Sequence, residues 1–144
     1  EAKVPDRGTL DEVDRAQLAR CVEAVGRTGT ELENCRFKAA LGEVMSLARA
    51  GNAYFDATKP FLSRKTDMAA CARAINICLQ TCRTLITLMA PFLPFMAQRS
   101  AEMLRLEPGW EKWSAATNEL PVGHAFGEPV ILVRKLDPKE LFIE

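Results

Sequence analysis

The sequence predicts an all-α protein, a helical bundle followed by an irregular, extended C-terminal tail. Three observations carry this reading. Apolar residues recur every three or four positions through most of residues 10–106. The stretch between Asp67 and Pro91 is apolar on nearly every face, as the central helix of a bundle must be. Beyond Pro108-Gly109 the helical period stops, and Val130-Ile131-Leu132-Val133 forms an extended apolar run.

Taken in order, Thr9 with Glu12 three residues later has the pattern of a capping box and opens a first helix near residue 10. Leu18, Cys21, Val22 and Val25 give that helix its apolar stripe, and Gly26 and Gly29 weaken its end. Asn34 is placed to cap a second helix that runs to about Thr58 and is closed by Pro60. Its predicted core stripe is Phe37, Leu41, Val44, Met45, Ala48, Asn52 and Phe55. Gly42 and Gly51 lower its helix propensity, and a close helix contact would explain either. Asp67 caps a third helix, with Cys71, Ile75, Cys78, Cys82, Leu85, Ile86 and Met89 along one stripe, widened by Ile77, Leu79 and Leu88. Arg73, Asn76, Gln80, Arg83 and Thr87 leave only a narrow polar line. Pro94 suits the first turn of a fourth helix to about Leu106, with Met96, Ala97, Ser100, Met103 and Leu104 inward. Trp110 and Trp113 are expected to cover the bundle as the tail folds back. A turn is expected at Pro121-Val122-Gly123, and Pro138 is placed to start a short final turn.

The 144 residues fit one domain, and 48% hydrophobic with 26% charged residues excludes intrinsic disorder. No apolar run reaches the ~18 residues of a membrane span, and residues 1–6 lack the apolar core of a secretory signal. The net charge is zero, which argues against a wholly basic nucleic-acid binder. Residues 34–106, however, carry 10 basic and 4 acidic groups, between two ends of net −3. Such a basic middle could form an attractive face for a polyanion, or simply a solvated helical surface. Five cysteines, an odd number without a CxxC pair, read as reduced thiols in a cytoplasmic protein. Zinc is not expected, because the chain has one histidine.

Catalytic signatures are missing. There is no GxGxxG after a strand, no GxxxxGKS/T, no HExxH and no GxSxG. His124 lies in a turn between Gly123 and Ala125 with no partner placed for acid–base work. The residues taken alone point to a binding module.

Three ordered segments carry a resemblance. They are Gly51-Asn52-Ala53-Tyr54-Phe55 with Lys59-Pro60-Phe61-Leu62-Ser63-Arg64-Lys65, then Leu88-Met89-Ala90-Pro91-Phe92-Leu93-Pro94, then Leu120-Pro121-Val122-Gly123-His124 with Lys135-Leu136 beyond. In this order and spacing the chain resembles the anticodon-binding helical domain of methionyl-tRNA synthetase, over nearly its whole length. The resemblance implies the helical bundle of class Ia synthetases, within a parent enzyme that uses ATP with Mg to join methionine to tRNA. It implies that this segment holds a tRNA with a CAU anticodon, carries no cofactor itself, and works with the catalytic domain of the same parent chain. Neither DNA nor a membrane is expected as a partner. The HIGH-like and KMSKS-like motifs and the family's first anticodon-domain helix are absent, so the chain reads as a fragment. Phe61 stands where the family usually has Trp. A related class Ia domain and a helical protein-interaction bundle remain alternatives.

Within that resemblance Phe61, after Pro60, is the expected stacking surface for an anticodon base. Asn52 is expected to point inward and to support Pro60-Phe61 by hydrogen bonds. Tyr54 is placed with the core or its rim. Lys59, Arg64 and Lys65 flank Phe61, and with Arg73 and Arg83 they are the expected phosphate contacts.

Overall fold

The computed structural model describes residues 2–134. Its helices are α1 (Glu12–Glu33), α2 (Phe37–Thr58), α3 (Pro60–Thr66), α4 (Met68–Met89) and α5 (Pro94–Met103). A 3₁₀ turn at Trp113–Ala115 and two short strands, β1 (Ala2–Lys3) and β2 (Ala125–Phe126), complete the elements. α1, α2 and α4 pack on one another pairwise, and α3 and α5 both lie on α4, which is central as the sequence predicts. β1 and β2 pair antiparallel, Ala2 opposite Phe126 and Lys3 opposite Ala125, a pairing for which the sequence carries no signal. The Val130–Val133 run forms no regular strand. Lys135, Leu136 and the turn expected at Pro138 lie outside the described residues.

Two helix caps differ from expectation. The capping box of α1 is Asp11 with Asp14, two residues beyond the Thr9–Glu12 pair. Asp14 also accepts from the buried Tyr54 hydroxyl at 2.6 Å and pairs with Arg73 Nε at 2.9 Å. A buried carboxylate is stable only with several donors, and this one position has them. Asn34 caps the end of α1 rather than the start of α2, its side chain donating to the Thr30 carbonyl at 2.7 Å. Cys35 follows with φ 56°, and the Arg36 N–H returns to the Glu31 carbonyl at 2.8 Å, the closure of a Schellman motif. Asp67 caps α4 as expected, accepting from the Ala70 N–H at 3.0 Å.

The buried faces of α1 and α2 are rotated from the predicted stripes, with which they share only Cys21 and Val44. α1 buries Asp14, Gln17, Cys21, Ala24 and Thr28 and leaves Val22 exposed. α2 buries Ala40, Val44, Leu47 and Tyr54, whereas Phe37, Leu41, Met45 and Phe55 face out. α4 buries Cys71, Ile77, Ile86 and Leu88 of its expected apolar face, adds Thr81 and Thr84 to it, and leaves Cys82 exposed. Gly51 belongs to the buried α2 face: a Cβ there would lie 3.1 Å from the Thr81 methyl of α4. Gly42 meets no such neighbour. Gly29 makes room for Trp113, whose Nε1 would be 3.1 Å from a Cβ at that position.

The polar line of α4 is buried too from Asn76 through Gln80 and Arg83 to Thr87. It hooks the chain segments that have no regular structure. Asn76 donates to the Pro5 carbonyl at 2.8 Å. Gln80 exchanges two bonds with the Leu120 backbone, at 3.0 and 2.8 Å. Arg83 donates to the Ala115 carbonyl at 2.9 Å, and Thr87 to the Trp110 carbonyl at 2.6 Å. So held, the tail covers the bundle. Trp110 packs on the cluster of Val4, Ile86, Ala101, Leu104 and Leu120, and Trp113 on that of Cys21, Ala24, Val44, Leu47 and Leu88. The expected turn forms at Pro121–His124, with Gly123 at φ 82° where a type II turn requires a positive angle.

Two outcomes are expected. Gly42→Ala, in open space, should stabilise the fold by about 0.5–1 kcal/mol. Gly51→Ala should gain less or destabilise, because the Thr81 methyl must move; equal gains in urea melts would refute the close approach. Burial and the Asp14 carboxylate raise the Tyr54 hydroxyl above its ordinary 10.0. The unfolded chain therefore releases this proton first, so stability falls as pH rises above about 10, by up to about 1.4 kcal/mol per pH unit. Tyr54→Phe should flatten that alkaline decline in melts from pH 8 to 11.

Candidate nucleic-acid interface

The junction of α2 and α3 is fixed by backbone constraints. Lys59 ends α2 and starts α3 with φ 45° and ψ 57°, a left-handed conformation uncommon for a residue with a side chain. Its N–H donates to the Phe55 carbonyl at 3.0 Å, and its carbonyl accepts from Leu62 at 2.9 Å and Ser63 at 3.1 Å. Pro60 fills the first position of α3, where its lack of an N–H is harmless. The sequence predicts a loop here; a short proline-initiated helix extends instead to Thr66.

Pro60 is buried, and Phe61, one residue on, is 54% exposed. The turn presents the Phe61 ring to solvent, as the expected stacking surface requires. The ring is not bare on all sides, however: it touches Phe55, with centroids 6.1 Å apart and planes tilted by 40°. Phe55 is itself 38% exposed. Asn52 lies one turn before Phe55 on the same outer face of α2 and is exposed, without a hydrogen-bond partner among the described residues. This corrects the expectation that Asn52 points inward; the buried face is rotated, and Tyr54 takes the inner position.

Lys59, Arg64 and Lys65 are exposed around the junction, and none forms an ion pair among the described residues. Over residues 44–66, Arg49 and these three cations stand against the single carboxylate of Asp56. Arg73 and Arg83 do not join them. Arg73 is drawn to Asp14, with Asp11 at 3.9 Å and the Thr9 carbonyl at 3.5 Å completing its surroundings. Arg83 is 5% exposed and bonds Thr87 and the Ala115 carbonyl, and burial lowers its affinity for the proton. Both guanidiniums are engaged by partners within the fold, Arg83 buried and Arg73 half-buried. His124 keeps its turn role, with Nε2 2.7 Å from the Leu104 carbonyl.

Phe55 is the residue of this surface that the apolar period hides. It continues the Phe37–Leu41–Met45 row and so reads as core. A second row is legible, Ala40, Val44, Leu47, Gly51 and Tyr54, whose small members suit a close helix contact.

The fold alone already matches known proteins. The chain superposes on the apo form of Mycobacterium tuberculosis methionyl-tRNA synthetase with a TM-score of 0.90 and 21% identity, covering 94% of this chain and 28% of that one. The same enzyme with methionyl-adenylate gives a TM-score of 0.86, at 22% identity, over 90% of this chain and 26% of that one. These show that its fold is an all-α helical bundle of the kind found within that enzyme. Residues 4–141 match the model of the anticodon binding domain of methionyl tRNA ligase, and the chain belongs to that family. It is 38% identical over 138 residues to the methionine–tRNA ligase of Pyrococcus abyssi, covering 96% of this chain and 19% of that protein. It is 36% identical to that of Parabacteroides distasonis, covering 95% of this chain and 20% of that protein. The chain thus spans about a fifth of the length of these relatives.

An exposed Phe61 makes a stability test decisive. Phe61→Ala should cost about 1 kcal/mol or less, as surface truncations do, with the packing of its ring on Phe55 included. Leu88→Ala, fully buried, should cost about 2–5 kcal/mol. Equal destabilisation in urea melts would put Phe61 in the core.

Proposed function

We propose that this chain is the part of a methionine–tRNA ligase that holds the anticodon stem and loop of a tRNA carrying CAU. Another part of the same enzyme would join methionine to that tRNA with ATP and Mg. The observation that carries the reading is an exposed ring on a fixed turn, Phe61 after Pro60, set among three cations, Lys59, Arg64 and Lys65, that have no ion-pair partner among the described residues. Single-stranded loops are recognised by stacking unpaired bases on aromatic rings and by bonding their edges. The cations hold phosphates, which gives affinity and position but no sequence information. Stacking tolerates any base, so identity must come from hydrogen bonds to base edges. The exposed amide of Asn52, with both a donor and an acceptor, suits that role.

Binding energy gained here would be spent on orienting the acceptor end of the tRNA at a distant reaction centre. The role proposed for this segment is binding. The rest of the parent chain, its catalytic domain included, would be the protein partner. The outward row Phe37, Leu41 and Met45, with the groove that Phe37 and Leu41 form with Leu32, Pro91, Phe92 and Leu93, is an apolar surface suited to such packing. A cytoplasmic setting agrees with five free cysteines.

Charge reversal tests the surface. In the parent enzyme, Lys59→Glu, Arg64→Glu and Lys65→Glu together should weaken tRNA binding strongly. They should also flatten its salt dependence by about 0.7 in log–log slope for each phosphate no longer neutralised. Reversal at Lys3, Arg15 and Lys112, which are exposed elsewhere, should have little effect. Equal weakening from the two sets would count against this surface.

A further inference from the structure

We propose that Phe55 is a second aromatic wall of the anticodon site, and that an unstacked RNA base packs on the Phe55–Phe61 pair rather than on Phe61 alone. The inference rests on the reading of this junction as an RNA-binding surface. It begins from an anomaly: Phe55 is a large apolar side chain left 38% exposed although its helix has an inner face close by. It touches the other exposed ring of the junction, at 6.1 Å and a 40° tilt. Rings so tilted are not stacked face to face on each other. They open a shallow angle in which a flat base can lie against one face and meet the edge of the other, both favoured aromatic geometries.

The two rings are also held together by the backbone. Phe55 sits on a 22-residue helix. Phe61 follows a proline, and the Lys59 N–H that closes the turn between them bonds the Phe55 carbonyl itself. Phe has two side-chain torsions, so presenting two pre-placed rings loses little entropy on binding. Lys59 lies between them in sequence, with Arg64 and Lys65 on the following turn, which supplies the charge that attracts a polyanion to this spot. Asn52 stands one helical turn from Phe55 on the same face, within the region a base edge would occupy.

The test is charging kinetics of the parent enzyme with a CAU-anticodon tRNA transcript, for Phe55→Ala, Phe55→Leu, Phe55→Tyr, Phe61→Ala and the double alanine variant. Phe55→Ala and Phe55→Leu should each lower kcat/KM for tRNA about fivefold or more, while methionine activation and melting temperature stay near wild type. Phe55→Tyr, which keeps the ring, should retain the rate. The double variant should fall clearly less than the product of the two single effects, because both rings serve one base. If Phe61→Ala lowers kcat/KM but Phe55→Leu charges tRNA like wild type, Phe55 is not part of the site and the proposal fails, with the RNA-binding reading intact. If neither ring matters, the reading of the junction itself fails.

Discussion

Five polar side chains on one face of α4 perform what a sheet or further helices perform in other folds. Arg73, Asn76, Gln80, Arg83 and Thr87 supply hydrogen bonds to the backbone of residues 5–9 and 110–120, segments outside the main helices. Buried backbone must be paired, and the carbonyls of Pro5, Trp110, Ala115 and Leu120 find their donors in these α4 side chains. Without this row the coil that carries Val4, Trp110 and Leu120 would not lie on the bundle, and the cluster those residues share with Ile86, Ala101 and Leu104 would be open to water.

The same polar logic joins the helices. Asp14 closes the cap of α1, receives Tyr54 from α2 and faces Arg73 from α4, so one carboxylate fixes the mutual position of three helices. Gln17 and Thr81 continue this contact between α1 and α4, at 3.3 Å. With polar groups occupying the inner faces, close approach is obtained from small residues such as Ala40 and Gly51. Phe37, Leu41, Met45 and Phe55 of α2 lie on the outside, while Val44, Leu47 and Tyr54 stay within.

That arrangement gives the surface its character. The outer row of α2 runs from Phe37 through Leu41, Met45 and Asn52 to Phe55, where it meets Phe61 across the Lys59 turn. A helix end and a proline-started turn hold two rings and three cations in a small area. Rigid placement of such groups matters more for recognition than their number, since each side chain ordered on binding gives up freedom.

Local signals in the chain are enough for the helical class, the central place of α4, the cap at Asp67 and the turn at Gly123, whereas the exposed ring of Phe61 is implied only by the family resemblance. Apolar periodicity, proline and glycine constraints and capping side chains each act within a few residues, so they can be read in order along the chain. The ordered segments around Asn52, Pro60 and Pro91 are likewise enough for the family. Which face of each helix turns inward is settled only by the folded chain. The hydrophobic period marks a stripe, but Asp14, Gln17, Asn76, Gln80 and Arg83 are buried because partners distant in the chain satisfy them. Such partners, the Leu120 backbone for Gln80 or the Tyr54 hydroxyl for Asp14, leave no local trace. For the same reason Arg83 reads as a surface cation in the sequence, and Phe55 as core. Whether a polar group can be buried depends on what meets it, and folding alone brings those groups together.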